Sequence, residues 1–157
     1  MSTLVQVRQR LKPLRTKARV YKIALQISKR FEAYLIDLNQ IQLSRGIGIF
    51  GESLGTYAEA TESFAEGENT RQSKTAGDNY NFEWTGALFD GMYIRFTSQH
   101  FEIFSRGATT PLVIDKFSDI FGEQVLLGLT KESLSEYVND KLIPEMQNEI
   151  CRQLEII

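Results

Sequence analysis

The sequence predicts an α+β fold with a long N-terminal helix, a small antiparallel sheet carrying an extended polar loop, and a C-terminal helix. Residues 92–97 and 101–104 alternate their side chains between two faces, with the period of two that is typical of strands. Residues 15–43 and 130–154 repeat their apolar positions every three to four residues, as amphipathic helices do. The length, 157 residues, suits one domain. We expect a basic arm at 1–14 and a single α+β domain at 15–157.

The long helix is predicted from about residue 15 to residue 43. Its apolar positions follow a heptad spacing and are Val20, Ala24, Ile27, Phe31, Tyr34, Leu38 and Ile41. Ile23 and Leu35 widen this stripe, which favours packing on a globular core, with a partner helix as the alternative. Pro13 is expected to interrupt the weakly helical residues before it, and Gly46 is a candidate C-cap.

The residues between this helix and the sheet are predicted to be mostly irregular. Glycines punctuate 47–57, and 57–82 is polar, with fair helix propensity only as far as Ala65. A polar excursion of this length inside one domain is usually a functional loop, or one that a partner orders.

The sheet is predicted to be a β-hairpin with its turn at 98–100. Met92, Ile94 and Phe96 share one face of the first strand, and Phe101 and Ile103 share one face of the second. Residues 85–91, directly before it, are expected to form one helical turn.

The rest of the chain is predicted to be mainly helical. Residues 112–121 are short and amphipathic, and 122–128 carry an apolar run that fits a buried strand or turn. Thr130 is a candidate N-cap for the last helix. Pro144 should kink or split that helix near Asp140 because proline removes a backbone donor.

Charge is distributed unevenly. Residues 1–31 hold nine basic residues and no acid, a charge of +9, whereas the other 126 residues hold nine basic and 20 acidic residues, a charge of −11. A solvated helix face, nucleic-acid contact and docking on the acidic body of a neighbouring subunit all fit this pattern. The candidate interface residues are Arg8, Arg10, Lys12, Arg15 and Lys17, with Leu4, Val5, Leu11 and Leu14 as apolar contacts.

Two motifs resemble catalytic signatures without their context. Residues 51–55 fit G-x-S-x-G, with Ser53 as nucleophile and His100, the single histidine, as base, but the strand–helix alternation of a hydrolase is absent. Gly46, Gly48 and Gly51 fit G-x-G-x-x-G, but a helix precedes them where a strand is needed. One histidine and one cysteine, Cys151, do not make a standard metal site. We therefore expect no enzyme, cofactor or metal, and, without a long apolar run or a signal-like segment, no membrane association.

The order of four segments resembles a family. Residues 51–62 (GESLGTYAEATE), 74–80 (KTAGDNY), 85–94 (TGALFDGMYI) and 120–129 (IFGEQVLLGL), the last followed by Thr130 and Glu132, occur in this succession. The succession is similar to small structural proteins of the neck and tail-completion type in tailed bacteriophages, notably crAss-like and other Bacteroidales phages. It covers about residues 45–155.

The resemblance implies a structural virion protein at the head–tail junction. Such a protein would be made in the bacterial host cytoplasm and would assemble as a homo-oligomeric ring around the DNA channel. Its partners would be portal, neck or tail proteins, with DNA contact possible but not sequence-specific. The alternatives are a small nucleic-acid-binding protein using residues 1–31 and a serine esterase.

Overall fold

The computed structural model of the protein describes residues 4–14, 16–68 and 70–154. The helices are α1 Leu4–Leu14, α2 Lys17–Arg30, α3 Glu32–Ser44, α4 Glu59–Ala65, α5 Ala87–Asp90, α6 Thr110–Phe121, α7 Lys131–Tyr137 and α8 Ile143–Leu154. The strands are β1 Met92–Phe96 and β2 Phe101–Ser105, and a π-helical turn, Val138–Leu142, joins α7 to α8. The α+β class predicted from the sequence is confirmed.

The sheet consists, within the described ranges, of the predicted hairpin. β1 and β2 pair antiparallel, with Met92 opposite Ser105, Ile94 opposite Ile103 and Phe96 opposite Phe101. Met92, Ile94 and Ile103 are buried, so the apolar face faces the core as the alternation predicts.

The core has two adjoining apolar clusters that α3 connects. One joins the end of α3 to α5, α6 and the apolar run after α6; its buried residues are Leu43, Leu54, Leu88, Phe89, Met92, Phe117, Val125 and Leu126. The other joins the start of α3 to the hairpin and α7; its buried residues are Leu35, Leu38, Ile94, Ile103 and Tyr137. The run at 122–128 is irregular rather than a strand, with Val125 and Leu126 fully buried.

The prediction of a single helix from 15 to 43 is wrong, because α2 ends and α3 begins at Phe31. Phe31 has φ −105° and ψ 21°, and its N–H donates to the carbonyl of Ser28. The Ser28 hydroxyl lies 2.9 Å from the carbonyl oxygen of Ala24 and 2.7 Å from the Tyr137 hydroxyl. A serine hydroxyl bonded back to the preceding turn bends a helix. The heptad stripe therefore splits, and its outer members Val20 and Ile41 are exposed.

Buried amides on α3 fix the segment that leads into α7. Asn39 is fully buried, and its Nδ2 donates to the carbonyls of Leu126, at 3.0 Å, and Gly128, at 2.7 Å. The Gln42 Oε1 accepts the N–H of Thr130 at 2.8 Å. Apolar burial and amide hydrogen bonds together hold this loop against α3.

The first helix differs from the prediction, whereas the last helix agrees with it. α1 continues to Leu14, one residue beyond Pro13, and packs against α2 and α8. Thr130 is the N-cap of α7, as predicted, since its Oγ1 accepts the N–H of Ser133 at 3.1 Å. The helix splits before Pro144 into α7, the π-helical turn and α8, which confirms that expectation as well. Along the described ranges, no helix combines the length and hydrophobicity required to cross a bilayer.

Candidate functional site

The basic residues predicted to form an interface lie on α1 and at the start of α2. Arg8, Lys12 and Lys17 are exposed, and Leu11 is 37% exposed. The half-buried Arg10 donates from Nη1 to the carbonyl of Leu154, 3.3 Å away.

The side chains of Leu4, Val5 and Leu14, and the whole of Arg15, lie outside the described residues. The described part of the predicted arm lies along α8 of its own chain, through the Arg10 contact.

A second group of basic residues lines what we call the lysine groove, between α2 and the hairpin turn. Lys17, Lys22 and Lys29 lie along it, and Tyr21, 52% exposed, lies among them. The hairpin wall is the polar segment 97–99, and the groove has a volume of about 720 Å³. None of the described residues lining it is acidic. Three lysines without a carboxylate between them make the groove electropositive.

An apolar surface feature, which we call the aromatic cleft, lies between the polar loop, α5 and α6. Its volume is about 420 Å³, and its main walls are Tyr57, Tyr80, Phe82, Trp84, Leu112, Val113 and Phe117. Tyr80 packs edge-on against Phe117 with ring centroids 5.6 Å apart, and Phe82 lies 5.0 Å from the same ring. Among the residues that line it, Lys116 carries the charge. The cleft suits an apolar or aromatic group with one anionic neighbour.

Hydrogen bonds within the polar loop fix the cleft. The Oδ1 of Asn81 accepts from the Tyr57 hydroxyl at 3.0 Å, from the Lys74 Nζ at 2.5 Å and from the backbone N–H of Glu83 at 3.2 Å. Burial raises the pKa of Tyr57 and lowers the pKa of Lys74, which is only 3% exposed. A bridge pairs Thr56 with Asn79. These contacts within the chain hold the described part of the loop in place.

The backbone is strained at Phe82, in the wall of the cleft. Its φ is +56°, a left-handed conformation that a bulky residue rarely adopts. The side chain gains contacts with Tyr80, 6.2 Å between centroids, and with Phe117. Strained residues of this kind persist where their surroundings fix them, and they cluster at functional sites.

Large apolar side chains remain exposed at the rim of the cleft. Leu112 is 73% exposed and Phe64 is 62% exposed. Phe64 stacks on Trp84 with ring centroids 5.8 Å apart and planes inclined by 29°. An exposed apolar patch around a concave aromatic surface is typical of a protein–protein contact.

The residues of the esterase alternative are not brought together. The Ser53 Oγ accepts the N–H of Gly55 at 3.3 Å. His100 lies at the hairpin turn, where its ring contacts the Thr97 hydroxyl at 3.2 Å and the Glu102 carboxylate at 3.3 Å. In the part of the chain that the structure describes, Ser53 and His100 make no contact, and histidine, cysteine and carboxylate side chains form no metal-binding cluster.

The cleft was not predicted from the sequence, although a signal for it exists. Tyr80, Phe82 and Trp84 alternate with polar residues, which places three rings on one side of an extended segment. Their partner Phe117 comes from α6, more than 30 residues later, and no local pattern links the two.

Comparison with models of protein families, with curated proteins and with solved structures found no match to this chain.

Proposed function

We propose that the protein is a structural subunit of the head–tail junction of a tailed bacteriophage, a neck or tail-completion protein that assembles into a ring around the DNA channel. The sequence resemblance supplies the biological setting. The observation that carries the proposal is the aromatic cleft, with Phe64 and Leu112 exposed around it. A partner protein that covers an aromatic surface of this kind removes its apolar area from water, which favours binding.

Charge supports assembly in one orientation. The exposed bases of α1 and α2 lie at one end of the sequence, and the remainder of the chain carries the excess of acids. Complementary charges of this kind steer association and fix its register, while exposed ion pairs contribute only about 0–1 kcal/mol each. Apolar contacts must supply most of the affinity, which again favours the cleft.

The proposed role requires no catalysis. The contacts of Ser53 and His100 leave them apart, and the one cysteine, Cys151, is half-buried on α8. The proposed role is one of binding and assembly.

The test is the position and partners of the protein. Purified protein should change its mass on mixing with portal or tail components, measured by sedimentation velocity. Gold-labelled antibody should mark the head–tail junction of intact particles. A protein that is absent from purified particles and gains no mass with any portal or tail component is not a junction subunit.

The lysine groove favours a second candidate function, the binding of nucleic acid. Lys17, Lys22 and Lys29 lie along one groove with an exposed tyrosine between them, an arrangement that can contact phosphates and stack a base. Affinity for duplex DNA should then fall with salt, log K declining by about 0.9 for each phosphate contact in a plot against log salt.

Charge reversal separates this function from a general effect of charge. Lys22→Glu with Lys29→Glu should abolish binding, whereas reversal at Lys131, an exposed lysine at the start of α7, should not. If the unaltered protein does not bind duplex DNA at low ionic strength, this candidate is excluded.

A further inference from the structure

Phe50 is an aromatic side chain that the fold displays to solvent. It is 65% exposed, in a tight turn whose ends, Ile47 and Ser53, form an antiparallel bridge. No aromatic ring among the described residues stacks on it, whereas the similarly exposed Phe64 stacks on Trp84. Phe50 therefore presents most of its side chain to solvent at the tip of an ordered turn.

The turn is rigid, so Phe50 projects in a defined direction. The N–H of Phe50 donates to the Glu52 carboxylate at 2.9 Å, and the N–H of Gly48 donates to the carbonyl of Glu52 at 2.9 Å. Gly51 has φ +83°, which favours glycine at this position. The N–H of Ile49 donates to the carbonyl of Val125 at 2.9 Å, which fixes the turn to the core. A rigid anchor loses little conformational entropy on binding.

The aromatic cleft has the chemistry that such a side chain needs. Its volume of about 420 Å³ is larger than a phenyl ring, and its walls are mostly aromatic and aliphatic. Aromatic rings in such walls offer edge-to-face contacts to an incoming ring. The charge in its lining is positive, Lys116, and the charge in the Phe50 turn is negative, Glu52, whose Oε2 accepts the N–H of Phe50 and whose Oε1 is buried. The two surfaces are therefore both apolar, and their charges are opposite in sign.

We propose that Phe50 of one copy inserts into the aromatic cleft of the next copy. Because Phe50 is exposed, it does not occupy the cleft of its own chain, and each copy has one projection and one cleft free. A contact between two different surfaces is heterologous, and repetition of a heterologous contact closes into a ring when the rotation allows. The inference rests on the proposed ring function and identifies the contact that builds the ring.

Two single variants test the two sides of the contact. Phe50→Ala removes the projection, and Thr109→Trp fills the cleft from its exposed rim. Each should weaken self-association of the full-length protein by at least about 30-fold, the effect of a hot-spot residue. Ile120→Ala is the matched control, since Ile120 is 63% exposed and is not part of either surface. Far-UV circular dichroism checks folding, and Thr61→Trp, from another wall of the cleft, replaces Thr109→Trp if that variant does not fold.

Mixing the two variants gives the decisive result. Phe50→Ala keeps a working cleft, and Thr109→Trp keeps a working projection, so an equimolar mixture retains one productive contact. Sedimentation should show a 1:1 dimer and nothing larger, while each variant alone stays monomeric. If either variant alone forms the same oligomers as the unaltered chain, or the mixture forms no dimer, the inference is wrong. It is also wrong if the unaltered chain stays monomeric at about 1 mM, where contacts of a few kcal/mol are already visible.

The outcome can be separated from that of the proposed function. If Phe50→Ala enters particles as readily as the unaltered protein, and the unaltered protein lies at the head–tail junction, the junction role stands and the Phe50 contact is refuted. If the unaltered protein is absent from particles but the mixing experiment yields the dimer, the contact stands and the junction role is refuted.

Discussion

Replacing Asn39 by alanine tests the connection between α3 and the segment that leads into α7. The change removes both donors of a fully buried amide, which bond the carbonyls of Leu126 and Gly128 at 3.0 and 2.7 Å. Gly128 keeps a donor, the Nε2 of Gln42 at 3.3 Å, whereas no other described donor reaches the Leu126 carbonyl. The loss therefore comprises two hydrogen bonds and one carbonyl left buried without a partner.

The magnitude follows from these contacts. Each hydrogen bond contributes about 0.5–1.5 kcal/mol net, and an unsatisfied buried carbonyl costs about 1–3 kcal/mol. The Oδ1 of Asn39 itself has no partner among the described residues, so its removal returns part of that loss. The free energy of unfolding should fall by about 2–4 kcal/mol, a large share of the roughly 5–15 kcal/mol typical of a domain.

Urea denaturation followed by circular dichroism measures this loss. With a slope of about 2 kcal/mol per molar urea, the midpoint should fall by about 1–2 M. Asn39→Leu should be similarly destabilising, because leucine fills the space but donates no hydrogen bond. Asn139→Ala, which removes an exposed amide bonded to the Ser135 hydroxyl, should change the free energy by no more than about 0.5 kcal/mol. If Asn39→Ala unfolds at the same urea concentration as the unaltered protein, the amide contacts do not hold the segment and the reasoning fails.

Three further changes have defined outcomes. Tyr137→Phe removes the buried hydroxyl 2.7 Å from the Ser28 Oγ and should lower the free energy of unfolding by about 1 kcal/mol in urea denaturation. The hydrogen bond from Arg95 lowers the pKa of Glu102, so Arg95→Ala should raise that pKa in an NMR titration. Because the folded-state pKa is lowered, the stability linked to Glu102 is present above the ordinary carboxyl pKa and is lost as pH falls through the folded-state value. Gly122→Ala places a side chain at φ +77° and should lower the thermal midpoint by about 2–4 °C, for a strain of about 1 kcal/mol.

Matched controls accompany these changes. Tyr34→Phe removes an exposed hydroxyl that donates to Glu136 and should have a smaller effect than Tyr137→Phe. Gly67→Ala, at an exposed glycine outside the left-handed region, should leave the thermal midpoint unchanged or slightly raised. Equal effects within either pair would contradict the structural reason given for it. If the pKa of Glu102 is unchanged in Arg95→Ala, the hydrogen bond from Arg95 is not the cause of the lowered pKa.

The parts of the fold that depend on neighbouring residues were predictable from the sequence. The alternation of Met92, Ile94 and Phe96 gave the strand and its buried face, because side chains of a strand point to opposite sides in turn. Thr130 and Pro144 marked the start and the division of the last helix through their backbone chemistry. These signals lie within a few residues of the feature that they determine.

The parts that depend on distant contacts were not predictable in this way. The apolar stripe continues without interruption through Phe31, whereas the break there involves the Tyr137 hydroxyl, 109 residues from Ser28. Asparagine and glutamine are usually surface residues, so the sequence does not predict that Asn39 and Gln42 are buried. Their burial depends on hydrogen bonds to the segment after α6, which is distant in sequence. The aromatic cleft likewise combines a local alternation of rings with a ring from α6. The sequence therefore indicates only the wall formed by Tyr80, Phe82 and Trp84.

The π-helical turn before Pro144 sets the direction in which the end of the chain binds its neighbours. α7 packs on α3, whereas α8 packs on α1 and α2. One residue of an α-helix corresponds to about 100° of rotation, so the wider turn reorients everything that follows it. If the same residues wound as a regular α-helix, the contacting side of α8, including Leu154, would turn by about 100° away from α1 and α2. The contact between the two termini therefore depends on one added residue more than 100 positions away from α1.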